Sequence, residues 1–169
     1  MEYLLELKEI YKKFPGVVAL QNVDFSLQKG EIRALVGENG AGKSTLIKIM
    51  SGAVQHDVGS LFWMGQLVFL KYPWKARQIG IAFIHQNRSL IPFFSGFENI
   101  YLGRPYPRKP TGLVHWKKIR EEVKVVISRY HLLVNMDKPI QELPAGEQTM
   151  IEIVRTLLDK TNLIVLDEP

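Results

Sequence analysis

Apolar and polar positions alternate through the first part of the chain. Leu5 and Leu7, then the run Val23-Asp24-Phe25-Ser26-Leu27, repeat with the period of two expected of half-buried strands. Ile32-Arg33-Ala34-Leu35-Val36 predicts a buried strand that runs straight into a glycine-rich stretch. Ser44-Thr45-Leu46-Ile47-Lys48-Ile49-Met50 switches to helical spacing and stops near Gly52. Residues 3 to about 70 thus read as strand-rich with one embedded helix.

The pattern changes from about residue 88. Pro92, Pro105, Pro107 and Pro110 make the first half of this zone loops and short turns. Trp116, Ile119, Val123, Val126, Ile127 and Tyr130 then share one helical stripe, the spacing of plain core packing. A third zone opens with a helix from about Gly146 that carries Met150, Ile151, Ile153, Val154 and Leu157. Leu163-Ile164-Val165-Leu166 predicts a buried strand leading into Asp167-Glu168-Pro169. No internal repeat or low-complexity segment interrupts this order.

Composition narrows the class. The 169 residues are enough for one domain with its own core and few for two. No apolar run approaches the roughly 20 residues that cross a bilayer. The opening Met1-Glu2-Tyr3-Leu4-Leu5-Glu6 has no cleavable signal pattern, so the expected location is the cytoplasm. Zero cysteines exclude disulfides and thiolate metal sites. The net charge of +5 is spread over pairs such as Lys12-Lys13, Arg108-Lys109 and Lys117-Lys118. Without an arginine-rich tract or interleaved aromatics, nucleic acid is not an expected partner.

Two motifs carry chemistry. Gly37-Glu38-Asn39-Gly40-Ala41-Gly42-Lys43-Ser44 fits the phosphate-binding pattern G-x-x-x-x-G-K-[ST] between a predicted strand and a predicted helix. The glycines let the backbone curl so that amide hydrogens point at phosphate oxygens, and the helix start aims its positive end at the same anion. Lys43 would reach the β- and γ-phosphates of ATP, and the Ser44 hydroxyl would bind Mg2+. Downstream, Asp167 and Glu168 close a strand. In nucleotide hydrolases the first such acid holds magnesium and the second polarises the attacking water. Alone, the pair could equally be a loop cap; beside a phosphate loop, the catalytic reading is the better one.

With these motifs in place, the chain from Leu4 to Pro169 resembles ATP-binding cassette proteins. The resemblance implies an α/β fold: a P-loop NTPase (RecA-like) core with an N-terminal antiparallel β part and a helical subdomain, ending after the strand that carries Asp167. Residues 1–87 and 146–169 would form the core and 88–145 the helical subdomain of a single partial cassette. Ile84-His85-Gln86 looks like the family's Q-loop, whose glutamine touches magnesium and the attacking water. Phe14 matches the aromatic that stacks on adenine, with a core phenylalanine as the alternative; Thr45 completes the ATP-binding run Gly37–Thr45. Phe14-Pro15-Gly16-Val17-Val18-Ala19-Leu20, Gly80–Gln86 and Glu98-Asn99-Ile100-Tyr101-Leu102-Gly103-Arg104 look like the ribose, galactose and xylose importer branch.

That branch implies an ATP-hydrolysing subunit at the cytoplasmic face of the membrane. Its partners would be a second cassette, two permease subunits and, indirectly, a secreted sugar-binding protein. The helical zone would dock the permease, with some of Phe93, Phe94 and Phe97 at the contact or in the subdomain core. The branch's signature loop, Leu-Ser-Gly-Gly-Gln, reaches across a cassette dimer. Here the position reads Leu143-Pro144-Ala145-Gly146-Glu147-Gln148, and Pro144 offers neither hydroxyl nor N–H. The family continues beyond Asp167-Glu168-Pro169 with a further central strand and a switch histidine that none of His56, His85, His115 and His131 replaces. The chain by itself is therefore expected to be poorly stable and inactive as an ATPase. A non-transport cassette ATPase and a non-hydrolysing nucleotide-binding module are the alternatives.

Overall fold

The computed structural model describes residues 3–84, 90–159 and 161–166. They form two compact units, Met1–Ile81 and Ala82–Pro169.

The first unit is built on an antiparallel sheet. Strands β1 (Tyr3–Phe14) and β2 (Val17–Gln28) form a long hairpin, and β3 (Val58–Trp63) and β4 (Gln66–Leu67) extend it in the order β2-β1-β3-β4. Pro15-Gly16 closes the hairpin. Proline fixes its own φ, and Gly16 takes φ 83°, which an L side chain adopts only with strain. Register then lines up apolar positions across three strands: Leu27, Leu5 and Trp63 in one row, Phe25, Leu7 and Leu61 in the next. Of these, Leu5, Leu7 and Leu61 are almost completely buried. The predicted alternation is therefore the inner face of this sheet.

Helix α1 (Lys43–Met50) follows, with Leu46, Ile47, Ile49 and Met50 buried. It ends at Ser51, and Gly52 turns away with φ 73°, as the sequence predicts. A short helix α2 (Pro73–Gln78) completes the unit.

One expected strand is absent. Residues 31–38 take neither helix nor strand, and Ile32 and Val36 are exposed at 100% and 88%. The local pattern is that of a strand, but a strand exists only when a neighbour completes its ladder. No described strand lies beside this run. Its start is held by a turn in which Glu31 accepts from the Gln28 N–H at 2.7 Å. That bond, with the Arg33 guanidinium at 2.5 Å, keeps the Glu31 carboxyl below its usual value.

Strands β5 (Ile81–Ile84) and β6 (Leu163–Leu166) pair, and the second unit holds a helical core. Helices α3 (Gly96–Tyr101), α4 (Trp116–Arg129) and α5 (Ala145–Leu158) contribute Phe97, Ile100, Ile119, Val123, Ile151 and Val154, joined by Met136, Ile140 and Leu143. The predicted α4 stripe holds at its centre. Its ends do not: Trp116 and Tyr130 are 39% and 47% exposed. β6 forms where expected but is only half-buried, and Leu166 is exposed.

Two devices fix the loop before α3. Ser95 and Glu98 form a reciprocal capping box, with the Glu98 N–H on the Ser95 hydroxyl and the Ser95 N–H on the Glu98 carboxylate. The buried Asn99 amide accepts from the Ile91 N–H and donates to the carbonyls of Ile91, Phe94 and Ser95. With its oxygen and both amide hydrogens engaged, a fully buried polar side chain is tolerated there.

Candidate functional site

The chain leaves the hairpin and enters Gly37–Ser44 without a side chain available to cap α1. Gly42 is the cap residue, in the left-handed region at φ 86°, and Gly40 has φ 85°. A Cβ on Gly42 would lie 2.5 Å from the Ala19 carbonyl oxygen and 2.7 Å from the Leu20 side chain. Only glycine can both turn this way and press so closely on β2.

The loop closes on itself. The Ala41 N–H donates to the Glu38 carbonyl at 3.1 Å, and the Leu46 N–H starts the helix on the Gly42 carbonyl at 2.9 Å. Lys43 bends back, and its Nζ donates to the carbonyls of Gly37 at 2.6 Å and Glu38 at 2.8 Å. An ammonium is thus fixed over a curled backbone at the positive end of a helix, with Ser44 exposed and Thr45 half-buried in the first turn. Glu38, Asn39, Gly40 and Ala41 are exposed along the rim.

The hairpin joins this arrangement through β2. Phe14 pairs with Val17 at the hairpin end, and Ala19, two residues further, backs Gly42. Phe14 is half-buried rather than a core residue, and Lys12 Nζ lies 5.3 Å from its ring centroid. Asp57 holds that lysine at 2.7 Å and also accepts from the Lys13 N–H at 2.8 Å. The Lys12 ammonium, with the Lys13 N–H, keeps the Asp57 carboxyl below its ordinary value.

The remaining sequence candidates belong elsewhere. Leu143–Gln148 lie in the second unit at the start of α5, where Leu143 is buried and Pro144, Ala145 and Gly146 are exposed. Pro144 is the cap residue and makes no side-chain capping bond. Gln148 turns inward, donating from Nε2 to the carbonyls of Ile140 at 3.1 Å and Leu143 at 2.8 Å. Glu147 accepts from the Asn135 N–H at 2.9 Å. Gln86, Asp167 and Glu168 lie outside the described residues. Of the three phenylalanines, Phe97 is a core residue at 3% exposure, while Phe93 is 77% exposed.

Motif reading does not reveal the backing of Gly42 by Ala19 and Leu20 or the Lys12–Asp57 pair. Both are contacts between segments far apart in sequence, which no local spacing encodes.

Residues 20–169 match the ABC transporter family model. The ribose import ATP-binding protein RbsA of Caldanaerobacter subterraneus subsp. tengcongensis is 44% identical over 169 residues, covering the whole chain and 34% of that relative. The L-arabinose transport ATP-binding protein AraG of Geobacillus stearothermophilus is 39% identical over 170 residues, covering 99% of the chain and 33% of that relative. The chain thus spans about a third of the length of the curated relatives it matches. Among solved structures, cbiO1 of Clostridium perfringens, part of an ABC transporter complex, superposes with TM-score 0.80 at 25% identity over 100% of this chain and 66% of its own. An ATP-binding cassette in its ADP conformation gives 0.81 at 27% identity over 100% of this chain and 70% of its own. A glycine-and-lysine loop at a helix start, a fold shared with solved cassettes and a family match over most of its length together place the chain: it belongs to the ABC transporter family.

Proposed function

We propose that this chain is the nucleotide-binding front part of a subunit that couples ATP hydrolysis to import of a sugar. The observation that carries the reading is Lys43, held over the curled backbone of Gly37–Gly42 at the start of α1. The names of its relatives support the sugar class.

The residues present suit both ATP and Mg2+. Left-handed Gly40 and Gly42 curl the backbone as a phosphate cradle requires, and an exposed serine hydroxyl sits in the first helical turn, a hard oxygen donor fit for magnesium. In this mechanism Gly37–Thr45 bind the phosphates and Lys43 exchanges its two carbonyl partners for phosphate oxygens. Phe14 stacks on the base. Ser44, with Gln86 and Asp167, would hold magnesium, which supplies charge neutralisation across the β- and γ-phosphates. Glu168 takes the proton from the attacking water, and Gln86 orients that water.

Leu143–Gln148 would complete the site of a second cassette in trans. Closure of the pair would be transmitted to two membrane permease subunits at the cytoplasmic face, fed by a sugar-binding protein outside. No helix among the described residues is long and apolar enough to cross a membrane.

A second reading, nucleotide binding without hydrolysis, is favoured by Pro144 at the start of α5. Fluorescent ATP-analogue binding by the full-length protein tests the shared part of both readings: saturable binding that Lys43→Ala weakens is expected, and its absence overturns both. Reconstitution of the full-length protein with its permease then separates them. Sugar uptake coupled to ATP turnover supports the importer; tight binding with neither turnover nor uptake supports the second reading.

A further inference from the structure

From Val58 through Phe97 the chain contains no aspartate or glutamate, yet it carries Lys71, Lys75, Arg77 and Arg88. Within that stretch, the segment from Leu67 to Arg77 exposes most of its large side chains. Leu67, Phe69, Tyr72 and Trp74 are 52%, 61%, 56% and 54% exposed. Neighbouring aromatics at this exposure are uncommon on a surface that faces only water.

Their arrangement is ordered. The rings of Tyr72 and Trp74 lie 6.3 Å apart and within 8° of parallel, and Lys75 Nζ lies 5.9 Å from the Trp74 ring centroid. The backbone beneath is pinned on its inner side by buried Leu70 and Ala76 and by Gln55, whose Nε2 donates to the Leu70 carbonyl at 2.7 Å. The aromatics are therefore presented by a fixed support.

Tyrosine and tryptophan with interspersed lysine and arginine, in a stretch of sequence without acids, are the side chains that settle at the headgroup level of a bilayer. We infer that Leu67–Arg77 is a membrane-contact patch, with Tyr72 and Trp74 seated among the headgroups of anionic lipids and Lys71, Lys75 and Arg77 on their phosphates. This goes beyond the importer reading, in which the permease alone carries the chain to the membrane.

Co-sedimentation of the full-length protein with lipid vesicles tests it. Binding to phosphatidylglycerol-containing vesicles, weak binding to pure phosphatidylcholine and loss at high salt are expected. The triple variant Lys71→Gln/Lys75→Gln/Arg77→Gln should weaken binding about a hundredfold, at roughly fivefold for each charge. Tyr72→Ala/Trp74→Ala should weaken it about tenfold or more. Lys117→Gln/Lys118→Gln/Lys124→Gln removes the same charge from exposed positions of α4 and should change it little. Should the aromatic variant lose its native circular dichroism, the two charge variants decide. Equal weakening by both triples, equal binding to neutral and anionic vesicles, or no vesicle binding overturns the proposal. Self-association abolished by Tyr72→Ala/Trp74→Ala, without vesicle binding, would assign the patch to a second copy of the chain.

Discussion

Helices α1 and α5 both begin without a side-chain cap, yet their starts are built for different purposes. At α1 the backbone curls through Gly40 and Gly42 in the left-handed region, and Lys43 folds over it. At α5 the chain arrives extended through Pro144 (φ −58°, ψ 154°), and the proline has no N–H to offer. The first start brings an ammonium onto a curled backbone at the positive end of a helix, the arrangement that the proposed phosphate site needs. The second enters its helix with little strain but presents fewer donors. A helix N-terminus alone is therefore a poor guide to binding, and the residues just before it decide.

Gly42→Ala should break the comparison most severely. The left-handed conformation costs an L-residue roughly 1–2 kcal/mol. The clash with Ala19 and Leu20 adds about 1–3 kcal/mol of overpacking. A loss of about 2–5 kcal/mol in urea-unfolding stability of the first unit, with loss of ATP-analogue binding, is expected. The same change at Gly146 in α5 meets nothing within 4 Å, so a gain of about 0.5–1 kcal/mol should follow there. Equal effects at both positions would show that Gly42 is not confined by β2.

Lys43→Ala acts on binding rather than on folding. Its two bonds go to carbonyls at the exposed rim, so the unfolding midpoint should shift little. A charge-assisted bond to phosphate is worth about 1.5–3 kcal/mol, so ATP-analogue affinity should fall roughly ten- to a hundredfold by titration. A variant that binds normally would remove the main support for the proposed site.

These contrasts also mark what was legible beforehand. The strand character of β1 and β2 and helices α1, α4 and α5 follow from periodicity, because each buries a stripe that its own sequence spells out, whereas β6 forms where its apolar run predicts but stays half-buried. Ile32–Val36 does not form a strand, since the ladder a strand needs belongs to a neighbour and not to the strand itself. Gly37–Ser44 was readable as a phosphate loop because its chemistry depends on residues adjacent in sequence. The support behind it, Ala19 on Gly42 and Asp57 on Lys12, is hidden because it depends on which distant segments come together in the fold. Phe97 and Phe93 show the same limit, since one motif places one phenylalanine inward and the other outward.

Pro144→Ser sharpens the comparison by giving α5 the cap it lacks. A serine there can accept from the N–H of Glu147, the third residue of the helix, and such a cap stabilises by about 1 kcal/mol. The reciprocal half of a capping box adds little, because the Glu147 carboxylate already holds the Asn135 N–H. A modest rise in the thermal midpoint, with ATP-analogue affinity of the isolated chain unchanged, is expected. A change in that affinity would link the start of α5 to the chain's own phosphate loop, contrary to a role in trans.

Helix α3 supplies the third kind of start, one capped fully by side chains, and it gives the smallest effect. The Ser95 hydroxyl, donating at 2.7 Å, and the Ser95 N–H at 2.8 Å hold the Glu98 carboxyl below its ordinary value of 4.5. A carboxyl whose folded value is depressed contributes stability above its unfolded value, and that contribution is lost as the pH falls through the folded value. Glutamine preserves the capping geometry but not the charge. Glu98→Gln should therefore lower stability at pH 7 by about 0.3–1 kcal/mol, the usual worth of a carboxylate at a helix N-terminus. Urea unfolding at a series of pH values should show the two proteins converging as the pH drops below 4.5, where the wild-type carboxyl also becomes neutral. A difference that persists undiminished in acid would mean that the box stabilises α3 by shape alone, with no contribution from its charge.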